Sequence, residues 1–242
     1  MPPSRLRMAL ILGALVASAP LSIDMYLPAF PALAREFAAS HAAVQLTLAT
    51  YLAGIAAGQL LWGPLSDSFG RKRPLYAGTA LFAAGSIACA LAGSIDALIG
   101  FRLLQALGGC AGMVIARAIV RDRHEGTEAA RFFSLLMLVI GIAPILGPLA
   151  GSQMLTVSSW RAIFWLIAAF GLACLVAVVF LLPETLPRAA RRNGGAMGAL
   201  GSYRILLGDR RFLAYAAATA SPWPACSPTS PARPSSSPSC TG

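Results

Sequence analysis

Residues 63–75 read Gly63-Pro64-Leu65-Ser66-Asp67-Ser68-Phe69-Gly70-Arg71-Lys72-Arg73-Pro74-Leu75. They join an apolar run over 43–62 to another over 75–93. A link this short makes the two runs antiparallel neighbours, and Gly63 and Gly70 would permit tight backbone geometry inside it. Asp67 falls at the edge of the first run, close to the cations Arg71, Lys72 and Arg73. Long apolar runs punctuated by a short charged link are the pattern of a polytopic membrane protein, so the fold is settled by counting runs.

A spanning helix needs about 20 mostly apolar residues. Four further stretches qualify, 8–27, 97–119, 131–154 and 161–182, which makes six. The runs are continuous rather than alternating, so they predict helices and not barrel strands. Backbone groups in lipid must be bonded internally, so each run is expected to form a complete helix. The bulk composition agrees. Only 12% of the 242 residues are charged and 57% are hydrophobic, whereas a soluble domain carries about 25% charge. So little charge cannot clothe a water-facing surface, and the partner implied is the lipid bilayer. The net charge of +10 does not indicate nucleic acid, because the basic residues sit in clusters between apolar runs and form no basic face.

Those clusters fix an orientation. With the N-terminus inside, the cytoplasmic gaps hold Arg71, Lys72 and Arg73, then Arg121, Arg123 and Arg131, then Arg188, Arg191, Arg192, Arg204, Arg210 and Arg211. The opposite gaps hold only Arg35 and, at the edge of the last span, Arg161. Basic residues favour the cytoplasmic side, so the expected topology is six spans with a cytoplasmic N-terminus. Arg5 and Arg7, the run from Met8 to Val16 and then Ala17-Ser18-Ala19 mimic a cleavable signal. The run continues through Leu27, so it is expected to span uncut.

The fold class expected is all-α transmembrane: a six-helix bundle over 1–187, a basic cytoplasmic linker over 188–211, and an incomplete seventh span with a Ser/Pro-rich tail over 212–242. From Ser221 the sequence is SPWPACSPTSPARPSSSPSCTG. Such a composition cannot pack a core and is expected to be disordered. A reading-frame shift or truncation near Thr219 is the expected origin.

Little chemistry of other kinds is encoded. Five cysteines lack CxxC spacing, and only two histidines, His41 and His124, are present. They give no metal or disulfide framework. There is no GxxxxGK phosphate loop. No metal, cofactor or enzymatic activity is expected.

Two charges inside the spans stand out. Arg102 lies about 10 Å inside the fourth span at 1.5 Å per residue, where an arginine costs about 2–3 kcal/mol or more. It is expected to face a water cavity or a buried acid, or else to snorkel to the outer interface. Asp24 lies in the outer half of the first span at a similar depth. The two would meet if both spans lined one cavity, with burial and the arginine pulling the Asp24 carboxyl in opposite directions. The alternative is a helix-terminal acid at the outer surface, should the first span end near Leu27. In the fifth span Ala143, Gly147 and Gly151 recur every four residues and make a flat packing face, while Pro144 and Pro148 favour a bend.

The link over 63–75 resembles the signature loop of the major facilitator superfamily, GxLaDrxGrkxxl, with Ser68 where Arg is commoner. Arg102-Leu103-Leu104-Gln105-Ala106-Leu107-Gly108 resembles its RxxqGxg pattern, with Ala106 for the usual Gly. Gly147-Pro148-Leu149-Ala150-Gly151-Ser152 resembles the antiporter motif GPxxGG, and Pro183-Glu184-Thr185-Leu186 fits the family's end of span 6. Pro20-Leu21-Ser22-Ile23-Asp24-Met25-Tyr26-Leu27-Pro28-Ala29 and the span-2 stretch from Gln45 to Tyr51, with Gly58-Gln59-Leu60, resemble the Bcr/CflA branch of drug-resistance transporters.

The resemblance covers nearly all of residues 5–220 but only the first half of a fold built from two six-helix bundles. It implies a drug/proton antiporter of the bacterial inner membrane. Asp24 and Arg102 would couple protons to a hydrophobic or cationic drug, with Tyr26, Tyr51 and Gln59 lining the substrate cavity. Gly63, Asp67, Gly70 and Arg71 would form a cytoplasmic gate, Arg71 pairing with Asp122 and Asp67 facing a helix N-terminus of a second half. Pro144, Gly147, Pro148 and Gly151 would carry the antiporter motif. The alternatives are a non-transporting fragment that partners another half, and an uptake carrier of the same fold.

Overall fold

The structure, a computed structural model, describes residues 3–187 and Arg191. The linker and tail expected over 188–211 and 212–242 lie, apart from Arg191, outside the described residues, as do the abortive seventh span and the arginines at 188, 192, 204, 210 and 211.

The described residues form helices and no strands. The elements are α1 (Pro3–Asp24), a 3-10 turn (Leu27–Ala29), α2 (Phe30–Glu36), α3 (His41–Phe69), α4 (Lys72–Ala90), α5 (Ile95–Arg123), α6 (Gly126–Val157) and α7 (Trp160–Leu181). Local chemistry sets their ends. Ser40 caps α3 by accepting from the Ala43 amide at 3.2 Å, and Ser94 caps α5 by accepting from Ala97 at 3.2 Å, which satisfies donors that a helix start leaves free. α5 also carries Asp96 in its first turn and Arg121 and Arg123 in its last, charges that suit the helix dipole. Gly70 ends α3 at φ +88° and ψ 170°, a region only glycine enters freely.

Two departures from the sequence expectation follow. First, the link is far shorter than 63–75. α3 runs without interruption through Gly63 and Pro64 to Phe69, and α4 starts at Lys72, so the turn is Gly70-Arg71 alone. Gly63 is helical, and a Cβ there would meet nothing within 4 Å. Its tight-turn role is therefore corrected, while that of Gly70 stands. Second, the first run does not end as one helix near Leu27. α1 stops at Asp24, and the chain continues through the 3-10 turn into α2. Pro28 and Pro31 lack the amide that an α-helix ladder needs.

Five segments are long and apolar enough to cross a membrane: Leu6–Glu36, His41–Phe69, Ile95–Arg123, Gly126–Val157 and Trp160–Leu181. α4 is not among them. Its 19 residues include Gly78, Thr79, Gly85 and Ser86, which lower its apolarity, and all four are buried. It still spans by connection. α3 and α5 both cross, and a helix of this length is about 28 Å long, enough to carry the chain back. The sixth span is thus a helix whose polarity is turned inward.

α5 lies against α3 and α4, α4 against α7, and α1 against α5 and α6. One buried apolar cluster, including Leu12, Leu15, Leu75, Ile115, Phe132 and Val178, fills the end nearest the Gly70-Arg71 turn. A second, including Tyr26, Leu33, Val44, Phe82, Leu98, Trp160 and Phe164, fills the other end. Close approach at α5 depends on small residues. A Cβ on Gly108 would strike the Phe82 backbone, and one on Gly112 would lie 2.5 Å from the Leu15 carbonyl oxygen.

Candidate functional site

Arg102 is completely buried and does not snorkel. It sits where α5 passes α1, α3 and α7. Its Nη1 donates to the Ser22 carbonyl at 3.2 Å, to Ser22 Oγ at 2.9 Å and to Gln105 Oε1 at 2.8 Å. The guanidinium carbon lies 4.0 Å from the Tyr51 ring centre, 4.4 Å from Tyr26 and 5.7 Å from Phe164. A cation held this close to aromatic faces in a dry interior gains about 2 kcal/mol from each strong contact. Nε and Nη2 have no hydrogen-bond acceptor among the described residues, so the ring faces meet the rest of the charge.

The supports of this arginine are themselves fixed. Gln105 Nε2 donates to Ser86 Oγ at 2.8 Å, and Ser86 spends its own proton on the Phe82 carbonyl at 2.7 Å. That pairing sets which end of the Gln105 amide faces Arg102. Thr47 likewise donates to the Val44 carbonyl at 2.6 Å, so Tyr26 is the donor in its 2.6 Å bond to Thr47. Tyr51 donates to the Ala19 carbonyl at 3.3 Å. Tyr26 and Tyr51 are fully buried. They line the arginine rather than an open cavity, whereas Gln59 lies on the exposed side of α3.

Asp24 and Arg102 share no hydrogen bond or ion pair. Asp24 is the last residue of α1 and is partly exposed. Its carboxylate has no hydrogen-bond or ionic partner among the described residues. Its backbone is pressed against α6: a Cβ on Gly147 would collide with the Asp24 Cβ, and one on Gly151 would collide with the Met25 carbonyl oxygen. The four-residue spacing of Ala143, Gly147 and Gly151, all buried, therefore forms the face that receives the break in the first span. Pro144 and Pro148 lie inside α6, which stays a single helix of 32 residues.

At the Gly70-Arg71 turn the structure assembles a clasp. Arg71 Nη1 donates to Asp67 at 2.6 Å and to Ser66 Oγ at 2.8 Å, and Arg71 Nε donates to Asp122 at 2.7 Å. The ends of α3 and α5 are thus tied through one side chain. Glu184, beyond α7, accepts from the Arg71 amide at 2.8 Å and the Lys72 amide at 3.3 Å, and it lies 3.7 Å from Arg191 Nη2. Burial pushes the Glu184 carboxyl up, but the amides of Arg71, Leu186, Lys72 and Thr185 outweigh it and hold it below the usual glutamate value. A Cβ on Gly70 would come 2.6 Å from a Glu184 oxygen, a second reason for glycine there.

At the opposite end, Glu36 accepts from Trp160 Nε1 at 2.5 Å and from Arg161, while Arg161 Nη2 donates to the Ala92 carbonyl at 3.1 Å. Sequence reasoning assigned no role to Ser22, Ser86, Gln105, Phe164, Glu36 or Glu184. Ser22, Gln105 and Glu184 lie inside quoted motifs, which was the available signal. Among the described residues no cluster of His, Cys, Asp or Glu could hold a metal ion.

Comparison with known proteins gives a consistent result. The family model described as Major Facilitator Superfamily matches residues 12–231. An MFS-type transporter of Bacillus subtilis strain 168, YdgK, is 42% identical over 214 residues, covering 88% of this chain and 53% of that protein. The multidrug resistance protein MdtL of Escherichia coli strain SMS-3-5 / SECEC is 38% identical over 176 residues, covering 73% and 45%. The chain therefore spans about half the length of the curated relatives it matches. Among solved structures, the human organic anion transporter MFSD10 (TETRAN) superposes with a TM-score of 0.65 at 20% identity, covering 80% of this chain and 51% of that one. The peptide transporter POT in complex with sulfate gives 0.67 at 20% identity, covering 88% and 46%.

Proposed function

The chain belongs to the Major Facilitator Superfamily, and from that premise we propose that it forms the first half of a Bcr/CflA-type drug/proton antiporter in a bacterial inner membrane. It is a multi-pass membrane protein with the architecture of a half-fold of that family. In this reading the N-terminus and the Gly70-Arg71 turn are cytoplasmic, as the loop arginines favour.

The observation that carries the reading is the position of Asp24. It is a carboxyl with no ionic partner among the described residues, at a helix break, packed on Gly147 of the GPLAGS stretch. An acid in an apolar bundle with no fixed counter-ion gains by taking up a proton or by pairing with a cationic substrate. Movement of α6 against α1 changes its surroundings directly. Arg102 then acts through Ser22, two residues from Asp24, by holding the end of α1 against α5. Asp67, Arg71 and Asp122 would close the cytoplasmic side, and Gln59 would face the substrate path. The substrate class is a hydrophobic or cationic drug-like molecule, the class in the name of the MdtL relative.

Alternating access needs two bundles rocking around one site. The outward faces of α3, with Leu52, Leu60 and Leu61, and of α6, with Leu138, Ile145 and Leu149, are exposed and apolar. In this reading a second half covers them. The test is drug resistance in an efflux-deficient strain expressing the chain with a supplied second half. Resistance that requires both halves and is lost in Asp24→Asn supports the proposal. Resistance unchanged in Asp24→Asn overturns it.

A further inference from the structure

We propose that the cleft between the start of α4 and the end of α7 binds the phosphodiester headgroup of an anionic glycerophospholipid, with an acyl chain on the apolar strip that continues from it. The cleft has a volume of about 430 Å³ and is lined by Lys72, Arg73 and Tyr76 of α4 together with Glu184 and Arg191 from beyond α7. Three cations thus face one carboxylate. That carboxylate is occupied: Glu184 accepts from the amides of Arg71, Lys72, Thr185 and Leu186. The amides of Arg71 and Lys72 are therefore taken, which leaves the cationic side chains and the Arg73 amide to hold an anion in the cleft.

Arg73 is exposed and forms no hydrogen bond or ion pair among the described residues. Its planar fork suits two phosphate oxygens. Lys72 Nζ donates to the Val179 carbonyl at 2.9 Å and lies 5.8 Å from the centre of the Tyr76 ring. An ammonium has three donors, so two remain for a ligand. Tyr76 adds the amphipathic ring that favours a membrane–water boundary.

The surroundings distinguish a lipid from a free phosphate. Arg73 heads an exposed stripe of α4 that continues as Ala77, Ala80 and Ala84 at helical spacing. Beside it, α7 exposes Val176 and Phe180, which are 56% and 78% accessible and four residues apart. These side chains are all apolar, so past the cationic mouth the exposed surface of the two helices is hydrocarbon. A soluble anion gains nothing from that strip, whereas an acyl chain does. Basic residues just outside a span attract anionic headgroups at about 1 kcal/mol each, or about fivefold in affinity. This proposal does not depend on what the protein transports.

The test uses the full chain in neutral detergent. Its thermal unfolding midpoint and its retained lipids by native mass spectrometry are compared with dioleoyl-phosphatidylglycerol, dioleoyl-phosphatidylcholine and inorganic phosphate. Phosphatidylglycerol is expected to raise the midpoint and stay bound, and the other two are not. Arg73→Gln is expected to weaken phosphatidylglycerol about fivefold, and Arg73→Gln with Arg191→Gln about 25-fold. Arg35→Gln, at the opposite end, is expected to bind as wild type. Equal retention of the two lipids, an equal response to inorganic phosphate, or undiminished binding by Arg73→Gln overturns the proposal. If the double variant does not fold, the comparison of lipids on the wild-type chain still decides.

Discussion

Arg102 is the costliest residue of the bundle and the best supported. Its charge is met by three aromatic rings and by acceptors from α1 and α5. A lysine would keep the charge but lose the fork that reaches Ser22 and Gln105 together with the flat face that lies on the rings. Arg102→Lys is therefore expected to destabilise by about 2 kcal/mol, read as a lower unfolding midpoint in detergent. A midpoint equal to wild type would mean that the rings contribute nothing specific to guanidinium. Gly70 makes a separate demand. At φ +88° it occupies a region closed to other residues, and a side chain there would also press on Glu184. Gly70→Ala is expected to cost about 1–3 kcal/mol, by the same measurement, while Gly63→Ala is expected to be neutral or slightly stabilising because it adds a helix-favouring methyl group in open space.

Between helices, the decisive contacts are α6 on the end of α1 and Glu184 on the start of α4. A Cβ at Gly147 collides with Asp24, whereas one at Gly141 meets nothing within 4 Å. Gly147→Ala is expected to cost about 1–3 kcal/mol through overpacking, and Gly141→Ala to be silent; similar midpoints for the two variants would contradict the packing described. The Glu184 clasp gives a pH dependence with a definite sign. Its carboxyl is held below the usual value of 4.5 by backbone amides, so its contribution is present above that value and is lost as pH falls through the lower folded one. The stability difference between wild type and Glu184→Gln is expected to be constant near neutral pH and to shrink below about pH 4.5. A difference that persists unchanged to pH 3 would place the stabilisation elsewhere.

The bundle as a unit was legible wherever lipid alone dictates the answer. Run lengths gave five spans outright, because a helix in hydrocarbon must satisfy its own backbone, while the sixth, α4, is too polar by composition and is placed by its connections. The depth of Arg102, seven residues past the start of α5, left a cavity, a buried acid or snorkelling open; the neutral acceptors and rings that hold it come from several helices, and no spacing in a single sequence reports which helices touch. Gly63 was misread because the link seemed to begin where apolarity ends, whereas the helix persists nearly two turns past that point. Glu184 was overlooked because a carboxylate just outside a span looks like any surface acid until its amide partners, over a hundred positions earlier, are known. Above these particulars stands the claim that Asp24 is the proton carrier of a two-half exporter. The direct measurement is drug-dependent proton release in vesicles carrying the chain with a complementing half. Release is expected from the wild type and none from Asp24→Asn at equal protein levels. Release from Asp24→Asn at the wild-type rate would contradict the claim.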